Sequence, residues 1–177
     1  MGRKVAIEVV VIITFIIVLN IGCVEDKQGK VGNMKLFSSA FKDGGAIPSK
    51  YTCEGPNVSP PLSFSNIPKN AKSLALIVDD PDAPMGTWVH WLVWNIPTNK
   101  TVIEENETLK FPQGRNDFGE LDYGGPCPPS GTHRYFFKLY ALDTTLNLNE
   151  GATKEQLESA MSGHIIEEAQ LIGTYSR

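Results

Sequence analysis

The sequence predicts a mainly β domain, a β-sandwich with one or two short helices near its C-terminus. Three observations carry the prediction. Short runs of Leu, Ile, Val and aromatic residues recur along the chain, Pro and Gly clusters separate them, and a capped helical pattern occurs late in the sequence.

The N-terminus is a different kind of segment. Arg3 and Lys4 precede an apolar run over residues 9–19, broken only by Thr14. Such a run is shorter than the ~20 residues that cross a bilayer comfortably, and it has the form of a secretory signal core. Residues 1–22 therefore read as a signal peptide or an N-terminal membrane anchor. Gly22 before Cys23 has the form of a lipoprotein processing site, which makes Cys23 a candidate for lipidation, although Asn20 and Ile21 fit that pattern poorly. Residues 23–33 read as a polar linker and 34–177 as one domain with a core of its own. The expected location is outside the cell, with the domain held at the extracellular face of the membrane through this N-terminal segment alone.

The chain has 16 basic and 20 acidic residues, for a net charge of −4. Removing residues 1–22 takes away Arg3, Lys4 and Glu8 and leaves the domain acidic. With no basic stripe it has no means of neutralising phosphates along a nucleic acid, which excludes that class of partner.

Within the domain, residues 73–79 form an apolar run, Trp88–Ile96 is aromatic and β-branched, and residues 135–142 alternate aromatic, Lys and aliphatic side chains. All three read as strands. Thr153 with Gln156 makes a capping box, Leu157, Ala160 and Met161 share a helix face, and Gly163 ends the helix. His164 follows it and reads as a surface or capping residue.

Most of the chemistry lies in two segments. Asp79-Asp80-Pro81-Asp82-Ala83-Pro84 leads to Trp88-Val89-His90-Trp91, and Gly124-Gly125-Pro126-Cys127-Pro128-Pro129 leads to His133-Arg134-Tyr135. Strict alternation groups Trp88, His90, Leu92 and Trp94 on one strand face, with Val89, Trp91 and Val93 on the other, and it places His133 beside Tyr135, opposite Arg134. Alone, His90 among apolar neighbours reads equally as a satisfied structural residue. His133 beside a Tyr hydroxyl reads as a binding pair, because both polar ends need partners when buried. The loop before it is stiffened by Pro126, Pro128 and Pro129 and offers few backbone donors, so it is either a small anion concavity or a rigid turn. An anion held by two imidazoles should bind more tightly as pH falls through the range near 6.5. Asp80 then either accepts a hydrogen bond from a histidine or faces a cationic end of the ligand. Asp79 or Asp82 reads as a turn residue, and a cis Ala83–Pro84 bond would aim Asp80 inward. Cys53 and Cys127 lie in loop-like sequence and either pair or remain two thiols.

These segments resemble the signatures of the phosphatidylethanolamine-binding protein family, in its bacterial and archaeal, Raf-kinase-inhibitor-like branch. Tyr51-Thr52-Cys53-Glu54-Gly55, Ser59-Pro60-Pro61-Leu62, Gly163-His164 and Leu171-Ile172-Gly173-Thr174-Tyr175-Ser176-Arg177 follow in the same order and style. The resemblance implies a Greek-key β-sandwich and a ligand-binding set of Asp80, His90, His133 and Tyr135, with Pro84 and Cys127 beside it. Residues 85–89 make a shorter link from Pro84 to His90 than in eukaryotic members. The helix that flanks the pocket in animal proteins has no counterpart before Arg177. Kinase inhibition is accordingly not carried over.

The leading expectation is a binding protein with no cofactor, for a phosphorylated or carboxylated small molecule such as a phospholipid head group. A protein-interaction module, for instance a protease inhibitor, is the alternative, and the oligomeric state stays open, a homodimer included. Hydrolysis by Ser130 with His133 and Asp80 ranks lower, since no Gly-x-Ser-x-Gly surrounds the serine. A metal site from Asp80, Asp82, His90 and His133 lacks a recognised spacing. The chain therefore reads as a non-enzyme.

Overall fold

A computed structural model describes residues 34–177 together with Gly2. The leader or anchor expected over residues 1–22, the linker at 23–33 and Cys23 otherwise lie outside the described residues. The described domain falls within one compact unit, Val31–Arg177.

The strands are β1 (Lys35–Phe37), β2 (Gly45–Ala46), β3 (Leu62–Ser65), β4 (Ser73–Asp80), β5 (Trp88–Ile96), β6 (Val102–Ile103), β7 (Thr132–Leu142) and β8 (Ile165–Ser176), with one α-helix, α1 (Lys154–Met161). The mainly β class and the short late helix are as expected. The strands form a small sheet in the order β1-β3-β6 and a larger one in the order β2-β8-β7-β4-β5.

The larger sheet is buried on both faces. Leu36, Leu62, Phe64 and Ile103 of the small sheet share one apolar cluster with Leu76, Val78, Trp91, Val93, Tyr135, Phe137 and Leu171 of the large one. On the other face, Ala75, Ile77, Val89, Leu92 and Trp94 pack with Leu157 and Met161 of α1. Double burial explains why every residue of β4 is buried and why its sequence is a continuous apolar run, without the alternation of a half-exposed strand. The capping box of α1 is formed: Thr153 N–H donates to Gln156 Oε1 at 2.9 Å, and Gln156 N–H donates to the Thr153 hydroxyl. β8 has no comparable sequence signal, because half of its face is open to water and Glu167, Glu168 and Gln170 interrupt the apolar pattern.

Register positions the site. β4 and β5 are antiparallel, and the pairing slips between Val78↔Trp91 and Asp79↔Val89, leaving His90 as the extra residue of a β-bulge. A second slip, between Leu74↔Ile96 and Leu76↔Val93, coincides with Asn95, whose φ is 57°. The strict alternation expected for β5 is therefore incorrect. Val89 packs with Leu92 and Trp94 on the α1 side, away from Trp91 and Val93, whereas His90 turns to the inter-sheet side occupied by Tyr135. An unbulged strand in the phase of Trp91 and Val93 would aim His90 at the helix. The bulge re-aims it.

Of the two candidates for a turn residue, Asp79 is instead a strand residue. It is fully buried in β4 and faces the helix side, 2.8 Å from Lys138 Nζ and 2.6 Å from Lys154 Nζ. Two amines compensate the buried carboxylate and tie α1 to the sheet. Asp82 does lie in the turn expected of it. No peptide bond among the described residues is cis, so Ala83–Pro84 is trans and strand pairing, not an isomer, directs Asp80.

Candidate anion pocket

At the end of the large sheet, the β4–β5 turn, the start of β7 and the proline-rich loop before it enclose a cavity of about 370 Å³. Asp80, Pro84, His90, Cys127 and His133 all line it. Tyr135 does not. It lies beneath the floor, its ring edge-on to His90 at 5.2 Å between centroids. Its hydroxyl is enclosed near the Cys127 backbone and the Asp80 carboxylate, yet meets hydrogen-bond geometry with neither. Burial, with the Asp80 charge adding to it, raises that hydroxyl above the ordinary tyrosine range.

Asp80 joins His133 to the turn that follows β4. Its Oδ2 lies 2.7 Å from His133 Nδ1, and its Oδ1 accepts the Asp82 backbone N–H at 2.8 Å. Of the two roles expected for Asp80, orientation of a histidine is the one the geometry realises. A carboxylate only accepts, so Nδ1 of His133 carries the hydrogen and Nε2 is left for other partners. Asp82 in turn receives the Arg134 backbone N–H at 3.0 Å and the Arg134 guanidinium at 2.8 and 2.7 Å. Those guanidinium bonds hold the Asp82 carboxyl down to about 2. The acid therefore stays ionised and faces outward, fixing the turn that carries Pro84.

His90 is 2 % exposed, and its Nδ1 lies 2.6 Å from the Gly124 carbonyl oxygen. Burial depresses its pKa below the ordinary histidine value, against the opposing effects of that hydrogen bond and of Asp80, Asp79 and Asp117. The Gly124 N–H returns to the His90 carbonyl at 2.9 Å, so backbone and ring are gripped by the same residue. Glycine is needed there: a Cβ on Gly124 would sit 2.4 Å from the Phe118 ring, and one on Gly125 would sit 2.3 Å from the Tyr51 carbonyl oxygen.

The apolar walls escaped the sequence reading. Met85, Trp88 and Phe118 line the cavity, with Phe118 edge-on to both Trp88 and His90 at 5.5 and 5.4 Å. Phe118 is 28 residues from His90 in a loop without strand signals. Buried Asn116 fixes it, its Oδ1 accepting from Phe118 N at 3.0 Å and Glu120 N at 2.9 Å. An aromatic residue between Asp117 and Gly119 in a turn is the sequence trace it leaves.

The Pro128–Pro129 wall is held by the Cys53–Cys127 disulfide, the paired alternative for these cysteines. Cys53 N–H also donates to the Pro126 carbonyl at 3.1 Å, and Gly125 N–H donates to Asn57 Oδ1 at 2.9 Å. Among the described residues, no three His, Cys, Asp or Glu side chains converge as a metal centre would require. Ser130 is exposed and does not line the cavity.

The sequence model of the phosphatidylethanolamine-binding protein matches residues 37–176. The chain belongs to that family. A UPF0098 protein of Methanothermobacter thermautotrophicus is 57% identical over 150 residues, which cover 81% of this chain and 99% of that protein. A UPF0098 protein of Pyrococcus horikoshii is 46% identical over 176 residues, covering 94% of this chain and 88% of its own. The crystal structure of the phosphatidylethanolamine-binding protein homolog CT736 from Chlamydia trachomatis is similar with a TM-score of 0.80 and 50% identity, over 82% of this chain and 99% of that one. The crystal structure of Escherichia coli YbcL, described as a new member of the mammalian PEBP family, has a TM-score of 0.76 and 32% identity, over 81% of this chain and 98% of that one. Relatives in archaea and bacteria agree with the resemblance seen in the motifs.

The comparisons correct the expected signal peptide, lipoprotein and membrane anchor. The archaeal and chlamydial relatives are named as UPF0098 proteins, names that mention no signal or lipid attachment, and among the described residues no helix is long and apolar enough to cross a membrane. An apolar run before a cysteine is too short a pattern to carry that inference by itself.

Proposed function

We propose that this protein binds a small oxyanion, with a phosphate-containing molecule as the preferred class, and that it is not an enzyme. The observation that carries the reading is two histidines, each with Nδ1 fixed by an acceptor, at one cavity whose lining is otherwise mostly apolar, with Asp80 engaged by His133. The fixed Nδ1 bonds preorganise both Nε2 atoms, so binding orders few groups that are not already ordered. Trp88 and the prolines give the cavity apolar walls, and a low-dielectric wall strengthens any polar contact made beside it. Membership of a family named for a phospholipid supports a small phosphate-containing ligand and fixes no particular one.

Calorimetric titration of the full chain with inorganic phosphate and O-phosphoethanolamine tests this reading. Heat that disappears in His133→Ala is the expected result. Equal binding by the variant would place the anion elsewhere, and no binding by either protein would end the proposal.

A second reading rests on the rim. Met85 is 96% exposed and Phe118 43%, which is costly apolar surface at the cavity mouth. A protein partner that covers this mouth would bury both.

A further inference from the structure

His90 offers the cavity an atom of defined character. Its Nδ1 faces a carbonyl oxygen, which only accepts, so the ring hydrogen is on Nδ1 and Nε2 is the remaining polar atom. The ring cannot turn over to exchange them, because Tyr135 and Phe118 stand edge-on at 5.2 and 5.4 Å and Gly124 holds the other end. In the neutral ring Nε2 is a lone pair. A fully deprotonated oxyanion presents only lone pairs as well, and the two repel.

Tyr135 and His133 of β7 and Asp80 of β4 stand on the ring's side of the sheet, while Asp79, on the helix side of β4, and Asp117, bonded to Val89 of β5, act on it through their charge. The carboxylates favour a charged ring, but Asp80 is committed to His133 and Asp82, Asp79 to two lysines, and Asp117 to the Val89 N–H. Burial prevails over them and favours the neutral ring.

Resting on the anion reading above, we propose that the pocket selects oxyacids that bring their own hydrogen: a phosphate monoester binds as its monoanion, with its P–O–H donating to His90 Nε2. A phosphodiester has no such hydrogen and is discriminated against, so a monoester, not an intact diester lipid, is the ligand class. The second ionisation of a phosphate monoester lies near pH 6, so the competent monoanion falls from roughly three quarters of the ligand at pH 5.5 to a few per cent at pH 7.5. This adds an acid preference of the ligand to the one that the sequence had placed in the imidazoles.

The test uses the full chain and compares methyl phosphate with dimethyl phosphate by calorimetry at pH 5.5 and 7.5, with inorganic phosphate as the reference anion. ¹⁵N spectra of the histidine rings are recorded in each complex. We expect methyl phosphate to weaken about 20-fold between the two pH values, dimethyl phosphate to bind at least tenfold more weakly at pH 5.5, and His90 to remain neutral with its hydrogen on Nδ1. Equal affinity for the diester, a pH-independent monoester, or a doubly protonated His90 in the complex would overturn the selection while leaving the anion site standing. No binding of any of the three, inorganic phosphate included, would overturn the anion reading and this inference with it.

Discussion

Reduction of the Cys53–Cys127 bridge should lower the stability of the domain strongly while leaving the native pocket nearly in place. The bridged residues are 74 apart in sequence. On the chain-entropy account, closing a loop of that length removes about 15 cal/mol/K from the unfolded chain, or about 4.5 kcal/mol at 25 °C. A domain of about 145 residues unfolds with about 0.3 kcal/mol/K of entropy, so Tm should fall by about 15 °C. The pocket wall has other anchors in the native state, since the Cys53–Pro126 and Gly125–Asn57 hydrogen bonds do not depend on the bridge. Anion affinity should therefore change less than threefold below the lowered Tm. Calorimetric melts with and without reductant, and of the Cys53→Ala/Cys127→Ala variant, measure the first effect, with thiol counting by mass spectrometry to establish the starting state. A bridge intact in the untreated protein together with a Tm change under about 3 °C would refute the unfolded-state argument. A collapse of affinity at temperatures where the reduced protein is folded would show that the anchors do not hold the wall.

Two other perturbations probe the same site. The folded-state pKa of His90 lies below its unfolded value near 6.5, so the unfolded chain binds a proton that the native ring refuses. Its contribution is fully present above about pH 6.5 and is lost as pH falls below it, by about 1.4 kcal/mol per pH unit, until the native ring itself titrates. Urea unfolding from pH 7 to pH 5 should show this slope reduced in His90→Phe, and an unchanged slope would remove the buried-neutral assignment. Gly124→Ala should push Phe118 from the wall and cost about 1–3 kcal/mol, because the added methyl would stand 2.4 Å from that ring. Trp88 emission, which senses Phe118 edge-on, reports the displacement; unaltered emission and stability would mean that the loop absorbs the methyl elsewhere.

Much of the site was legible because its parts are written in short, locally determined patterns. The helix caps at Thr153 and Gln156 act within one turn, and the alternation of β7 sets His133 beside Tyr135 whatever lies opposite. The misreadings concern residues whose role depends on a partner far along the chain. Asp79 resembled a turn residue because Pro81 follows closely, yet Lys138 and Lys154 make it a buried ion-paired strand residue. Phe118 became a wall because Asn116 folds its loop back over His90.

The sequence by itself determined the β class, the family and the presence of Asp80, Pro84, His90, Cys127 and His133 around one end of the sheet. Only the tertiary structure decided which way His90 points, which of its nitrogens faces the cavity, that Tyr135 lies below the floor, and that Cys53 and Cys127 are joined. The reason is common to all four. A strand's own alternation gives its phase, but a bulge, a tautomer, a buried hydroxyl and a disulfide are set by register against other segments, and register is a property of pairs of segments.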